Sequence, residues 1–165
     1  MKPVISALAL LAALAGPARA DSGILPDPSL TPGAARTTNI GEICNEGSTR
    51  SLRHWSRERD DFIMREYGLP GGVHPDYEVD HLIPLEIGGA DANANLWPEP
   101  RRTIEPVWNA ERKDRLENRL REMICSGELD PQAAQHMIAE DWTAAYARLF
   151  PTSNFFRLSG AMTPR

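Results

Sequence analysis

The sequence contains little cysteine, no excess of positive charge and only one long apolar run. Cys44 and Cys125 are the two cysteines among its 165 residues, and two cysteines so far apart make a poor structural zinc site. The formal net charge is −5, from 18 basic and 23 acidic residues. Proteins that bind nucleic acid broadly are usually basic, so any binding of phosphate must depend here on a local cluster of basic residues.

The apolar run lies at the N-terminus and has the organisation of a secretory signal peptide. Lys2 supplies a positive charge, residues 4–15 are apolar but too few to span a bilayer comfortably, and residues 18–20 are Ala-Arg-Ala. This pattern predicts cleavage before Asp21, with an uncleaved N-terminal anchor as the alternative. Cleavage removes two positive charges, Lys2 and Arg19, which changes the formal net charge from −5 to −7. We therefore expect a secreted or periplasmic protein.

The length of the chain suits about one domain beyond this signal peptide of residues 1–20. Residues 21–38 are rich in Pro, Gly, Ser and Thr and are predicted to form a linker or an ordered coil. The domain is expected over residues 39–150, with a tail at 151–165. In an oxidising compartment an even pair of cysteines favours a disulfide, here Cys44–Cys125, over two buried thiols.

Capping residues and apolar periodicity predict three helices. Ser56 is expected to cap a helix over about residues 57–67. Apolar residues at helical spacing predict a longer helix over about residues 106–124, and Asp130, followed by a proline, predicts the start of the last helix. The outer face of the long helix is expected to carry the charged residues Glu111, Arg112, Lys113, Asp114, Arg115, Glu117, Arg119, Arg121 and Glu122.

Short extended segments are predicted between these helices. Residues 40–44 are interpreted as a short extended piece. Residues 79–87 are predicted to be a strand, and Pro84 within them favours an edge or a break, because proline cannot donate to a sheet ladder. A second extended piece begins at residues 95–97 and is ended by Pro98 and Pro100. Helices together with a hairpin predict an α+β fold.

The side chains that can carry chemistry lie in and around this hairpin. Asp80 and His81 lie within one apolar run, residues 88–89 are a Gly-Gly turn, and Asn95 opens the second run. An imidazole titrates near neutral pH and can act as a general base, and a carboxylate can hold a hard divalent cation. Hydrolysis of a phosphodiester needs both. Since neighbours on a regular strand face opposite sides, Asp80 and His81 share a site only if the strand is irregular there. The alternative is an Asp–His pair that is merely hydrogen-bonded in the core.

Three segments carry a resemblance to a known family: residues 77–86 (YEVDHLIPLE), residues 95–100 (NLWPEP) and residues 113–118 (KDRLEN). They resemble the HNH endonucleases, or ββα-metal nucleases, and more narrowly a set of small exported bacterial HNH-like proteins. The likeness extends more weakly from about residue 43 to residue 142. It implies a small hairpin-plus-helix core of the ββα-metal type with additional packed helices.

The resemblance also implies roles for individual residues. His81 matches the general base, Asp80 a metal ligand, and Asn95 the residue that orients the His or supports the metal site. The last ligand of the family is a His or Asn on the helix, and Asn109 is the nearest candidate, with Glu111 and Asp114 as competing carboxylates. The implied cofactor is a divalent metal, with Mg²⁺ first and Mn²⁺, Ni²⁺ or Zn²⁺ as alternatives. Many HNH enzymes have paired CxxC zinc knuckles, which this chain lacks.

Basic residues flank the motif on both sides and could contact phosphates, which position a nucleic acid without reading its sequence. Arg101, Arg102 and Lys113 follow the motif, and Arg50, Arg53, Arg57 and Arg59 precede it; a salt-bridged surface is the alternative for each. We expect a metal-dependent endonuclease that hydrolyses DNA or RNA, with nucleic acid as its substrate. The rival expectation is a non-catalytic envelope protein that retains the HNH scaffold as a binding or structural module.

Overall fold

The computed structural model describes residues 23–45 and 49–151. The predicted signal peptide and residues 152–165 of the predicted tail lie outside them. The described helices and strands are, in chain order, α1 (Ile40–Asn45), α2 (Arg57–Glu66), β1 (Tyr77–His81), β2 (Leu96–Pro100), α3 (Ala110–Cys125) and α4 (Pro131–Leu149). Short 3₁₀ turns cover Thr49–Leu52, Leu85–Ile87 and Asn93–Asn95. The α+β prediction is confirmed, because a two-strand antiparallel hairpin packs against helices.

The hairpin pairs Tyr77 with Pro100 at its open end and His81 with Leu96 at its closed end. The predicted strand over residues 79–87 was too long, because the chain leaves the ladder after His81 and enters a 3₁₀ turn beyond Pro84. Glycines are needed where this loop closes. Gly88 has a φ of 91°, and a Cβ on Gly89 would lie 1.9 Å from the backbone oxygen of Ile83, so residues with side chains would not fit at these two positions.

Local capping accounts for where the helices begin. Ser56 and Asp130 cap α2 and α4 as predicted, each accepting from a backbone N–H three residues on. The predicted start of α3 near residue 106 was wrong: α3 begins at Ala110, because Asn109 caps it. The extended piece predicted at residues 40–44 was also wrong. This segment is α1, and the Asn39 side chain accepts from the backbone N–H of Glu42 at its start.

The core lies between α3 and α4. Leu116, Leu120 and Ile124 of α3 are fully buried together with Ile138 and Trp142 of α4. A Cys44–Cys125 disulfide joins α1 to the end of α3, so the predicted bridge is confirmed.

Described residues of the segment predicted as a linker or ordered coil contact the helices and the hairpin. The Trp142 indole donates to the backbone oxygen of Ile24, and the buried Thr31 hydroxyl donates to the backbone of Leu96 and accepts from Tyr67. Within residues 23–45 and 49–151, no helix combines the length and the apolar character needed to cross a bilayer.

Candidate active site

Three carboxylates from two elements meet where the hairpin packs on α3. Asp80, Asp114 and Glu117 each place one oxygen within 4.8 Å of the others, and they are called the carboxylate cluster below. Asp114 and Glu117 are three residues apart on α3 and therefore share a face, while Asp80 comes from the end of β1. Asp114 is exposed and the other two are half-buried, so the cluster opens to solvent on one side. Carboxylate oxygens suit a hard divalent cation.

His81 lies beside this cluster with one ring nitrogen bonded and the other without a hydrogen bond. Its Nε2 is 2.9 Å from Oδ1 of Asp91. Its Nδ1 is buried without a hydrogen-bond partner and lies 3.5 Å from Oδ1 of Asp80. When a carboxylate accepts from Nε2–H, the lone pair of a neutral imidazole is on Nδ1, a tautomer assigned here from the bonding network. Asp80 belongs to the cluster and His81, the last residue of β1, lies next to it, although both residues are within the strand.

Asp91 is a residue of this site that sequence reasoning missed. One of its oxygens accepts from His81 and from Nη1 of Arg59 at 2.8 Å, and the other accepts from the backbone N–H of His54 at 2.7 Å and lies 3.0 Å from Nδ1 of His54. Burial acts to raise the pKa of Asp91, but the hydrogen bonds from His54, His81 and Arg59 outweigh it and hold the pKa well below its usual range. The available signal was a carboxylate ten residues after His81 in the same hairpin loop.

Lys113 is a fully buried lysine that joins α3 to the hairpin. Its Nζ donates to the backbone oxygen of His81 at 2.7 Å and to the Glu117 carboxylate, and it lies 3.5 Å from Glu99 and 3.7 Å from Asp80. Burial acts to lower the pKa of Lys113, but Glu117, Glu99 and Asp80 raise it well above its usual range. The ammonium group is therefore the internal counter-ion of these carboxylates.

This burial does not agree with the expectation that Lys113 contacts phosphate, because its side chain is 0% exposed. The predicted charged outer face of α3 was wrong for Lys113 and also for Arg112. The Arg112 guanidinium is buried over the rings of Trp108 and Tyr146, at 5.0 and 5.1 Å from their centroids. A charged residue can therefore pack inward on this helix when an aromatic surface or a carboxylate receives it.

The carboxylates outnumber the cations around Lys113. Glu99 is buried with one oxygen that has no hydrogen bond, and burial raises its pKa well above the usual value against the opposing charge of Lys113. Burial also raises the pKa of Glu117 to about 7. Burial acts likewise on Asp80, but Lys113, His81 and Arg53 outweigh it and hold the pKa of Asp80 well below its usual range. Nη2 of Arg53 lies 2.9 Å from Asp80 at the exposed edge.

The two predicted asparagines have backbone partners. The Asn95 amide donates to the backbone oxygens of Ile83 and Ala90, and its oxygen accepts from the backbone N–H of Ile83. It therefore holds the hairpin loop that follows His81, and its role as a catalytic residue stays a prediction. The Asn109 oxygen caps α3, and its amide donates to the backbone oxygen of Glu105. The structure thus does not bring Asn109 into the carboxylate cluster.

The remaining predicted residues lie at the surface near the end of β2. Arg101 is exposed and lies 2.8 Å from Glu78, and Arg102 is exposed and lies 3.8 Å from Glu111. Glu111 is exposed as well, and it is not one of the three clustered carboxylates. Both arginines are accessible to a ligand in solution, although each has an acidic neighbour.

No protein-family model matches the chain, and no curated protein or solved structure matches it either. A functional assignment therefore depends on the sequence motif and on the geometry of His81, Asp91 and the carboxylate cluster.

Proposed function

We propose that this protein is an exported, metal-dependent endonuclease of the HNH type that hydrolyses phosphodiester bonds of DNA or RNA. One observation carries the proposal: the buried Nδ1 of His81 has no hydrogen-bond partner and lies 3.5 Å from a carboxylate of the cluster formed by Asp80, Asp114 and Glu117. The resemblance of residues 77–86 and 95–100 to HNH enzymes points to the same chemistry.

Asp80, Asp114 and Glu117 are the proposed metal ligands. The donor set fits a divalent cation, because all three ligand atoms are oxygens and the cluster opens to solvent. In addition, the carboxylates around Lys113 outnumber the positively charged side chains. Asp114 was one of the alternatives for the helix-borne ligand, and it replaces Asn109 in this proposal because the Asn109 side chain caps α3. A divalent cation bound there, with Mg²⁺ the first choice, would supply Lewis-acid stabilisation of the phosphate and of the leaving oxygen.

His81 is the proposed general base and Asp91 its positioning residue. Asp91 accepts from Nε2–H and keeps the Nδ1 lone pair available, so Nδ1 can take a proton from the attacking water. The resulting hydroxide forms a bond to phosphorus, and the bond from phosphorus to the leaving oxygen breaks. The negative Asp91 then stabilises the imidazolium, as an orienting carboxylate does in other hydrolases. Arg101 and Arg102 are the proposed phosphate contacts outside the cluster.

The test is a cleavage assay on plasmid DNA, single-stranded DNA and RNA with Mg²⁺, Mn²⁺, Ni²⁺ or Zn²⁺. The wild type is expected to cleave, and His81→Ala is expected to lose at least about 100-fold in rate with an unchanged circular dichroism spectrum. His136→Ala is the matched control, since His136 is exposed on α4, and it should cleave like the wild type. A wild type that cleaves none of these substrates with any of the four metals would refute the proposal.

A second candidate is the non-catalytic envelope protein that retains the scaffold. Two observations favour it: His81 is only 2% exposed, and Lys113 already places a positive charge beside the cluster. On this alternative, Mg²⁺ and Mn²⁺ should leave the melting temperature unchanged, because no cation binds to the folded protein. On the proposed function the melting temperature should rise with metal concentration, and Asp114→Asn should reduce that rise.

A further inference from the structure

A tryptophan is exposed next to the proposed site. Trp55 is 69% exposed, whereas Trp97 and Trp142 are completely buried. Its indole N–H donates to Oδ2 of Asp60 at 2.7 Å, so one edge of the ring is held while most of its surface faces solvent. An exposed aromatic ring that is fixed in this way loses little further conformational freedom when a flat ligand stacks on it.

The two residues before Trp55 contact two of the carboxylates of the proposed site. Arg53 is bonded to Asp80 of the carboxylate cluster, and His54 donates to Asp91 through its backbone N–H. Consecutive Cα atoms are about 3.8 Å apart, so the Trp55 backbone lies directly beside the Asp91 contact. A single strand with one phosphate at the cluster is therefore expected to pass the indole within a few nucleotides.

The segment around Trp55 also carries positive charge. Four arginines lie within residues 50–59, and three of them are exposed: Arg50, Arg53 and Arg57. Glu58 lies in the same segment, and Asp60, which follows it, accepts from the indole, so the arginines still outnumber the carboxylates. Arginines that follow a phosphate backbone together with an exposed aromatic ring are the combination by which proteins bind single-stranded nucleic acid.

We propose that Trp55 stacks on an unpaired base of a single-stranded nucleic acid that is bound at the carboxylate cluster. The inference rests on the proposed function, since it names the substrate class of the same site. In a duplex the faces of the bases are covered by their neighbours, so the indole has no free base to contact. Single-stranded DNA, RNA or an unpaired loop is therefore the preferred ligand, and duplex DNA is the poorer one.

Binding is measured first, without cleavage. The His81→Ala protein, with Mg²⁺ present, is titrated against a labelled single-stranded oligonucleotide and its duplex, and anisotropy is followed. Trp55→Ala is expected to weaken binding of the single strand about 5- to 150-fold and to change duplex binding by less than about twofold. Trp55→Phe should retain most of the affinity, since its ring still stacks. Phe62→Ala is the matched control, because Phe62 is an exposed aromatic residue on the adjacent helix α2.

Equal single-strand affinities of Trp55→Ala and Trp55→Phe, or an equal loss for single strand and duplex, would overturn the inference. Cleavage by the otherwise wild-type protein separates this failure from that of the proposed function. Trp55→Ala should raise KM for a single strand and leave kcat close to its original value. An active wild type with an unchanged KM in Trp55→Ala refutes the stacking alone. An inactive wild type whose single-strand binding depends on Trp55 refutes the nuclease activity and supports the stacking.

Discussion

Replacing Lys113 by methionine tests whether the buried charges hold the hairpin against α3. The lysine is 0% exposed and lies within 4 Å of Asp80, Glu99 and Glu117, whose side chains are 16%, 1% and 13% exposed. Methionine has nearly the same length and no charge. Lys113→Met would leave these carboxylates without their internal cation, and Arg53 contacts only Asp80 among them.

The expected loss is large because the partners remain buried. Removing one member of a buried ion pair costs about 3–5 kcal/mol, and the lost hydrogen bond to the backbone of His81 costs about 1 kcal/mol. Protonation of Glu99 and Glu117 offsets part of this, since burial already raises the pKa of Glu99 well above the usual value and that of Glu117 to about 7. We expect a net destabilisation of about 3–4 kcal/mol. For a domain of this size it corresponds to a fall in Tm of about 10–20 °C.

The assay is urea unfolding at pH 7, followed by circular dichroism, for the wild type, Lys113→Met and Arg115→Met. Arg115 is an exposed cation two residues further along α3, and its replacement should change the free energy of unfolding by less than about 0.5 kcal/mol. Divalent metal should stabilise Lys113→Met more than the wild type, because the cluster then carries one more uncompensated negative charge. A loss below about 1 kcal/mol for Lys113→Met would refute the argument from buried charge.

Three further predictions concern other contacts. Asp91→Asn should lower kcat of nucleic-acid cleavage by about 10²- to 10⁴-fold. Both oxygens of Asp91 accept hydrogen bonds, so an asparagine places its NH₂ group against a donor in either orientation. A kcat within threefold of the wild type would contradict this. Replacing Cys44 and Cys125 by serine should lower the free energy of urea unfolding by about 2–4 kcal/mol, because the bridge spans a sequence separation of 81; a smaller loss than 1 kcal/mol counts against it. Burial acts to raise the pKa of Asp141, but hydrogen bonds from Thr143 and Ala144 outweigh it and lower the pKa. The wild type should therefore be more stable than Asp141→Asn by a constant amount above about pH 4, and this difference should shrink as the pH falls further. A difference in the free energy of unfolding that grows on acidification would contradict the prediction.

Local rules in the sequence were sufficient for several parts of the fold. Ser56, Asp130 and the Gly88–Gly89 turn each satisfy a backbone requirement within a few residues, and the structure has the expected cap or turn at all three. The cap of α1 was also local, at Asn39, but a helix of six residues leaves too short a periodic pattern for identification.

The site depended more on contacts between distant residues. Lys113 was assigned to the outer face of α3 because it is charged, although it lies three, seven and eleven residues before Leu116, Leu120 and Ile124 and so continues their apolar stripe. The position of Lys113 in the helix therefore predicted that its side chain is buried, whereas its charge led to the opposite prediction. The hydrogen bond from His81 to Asp91 could not be derived in the same way, because the position of Asp91 depends on how the loop after Gly89 closes and on Arg59 and His54 from another part of the chain.

The nuclease and the non-catalytic envelope protein would both depend on the same buried charges around Lys113. Its ammonium group donates to the backbone of His81 and to Glu117 at once, so the same contact fixes the proposed base relative to a proposed metal ligand. One lysine cannot neutralise Asp80, Glu99 and Glu117, which the structure places around it, and the exposed Asp114 adds a fourth carboxylate. In a purely structural module, protonation would neutralise the excess negative charge of the buried carboxylates, so acidification would stabilise the cluster. In a metal enzyme a divalent cation satisfies it at neutral pH. Metal-dependent stabilisation that weakens on acidification therefore distinguishes a catalyst from a retained scaffold.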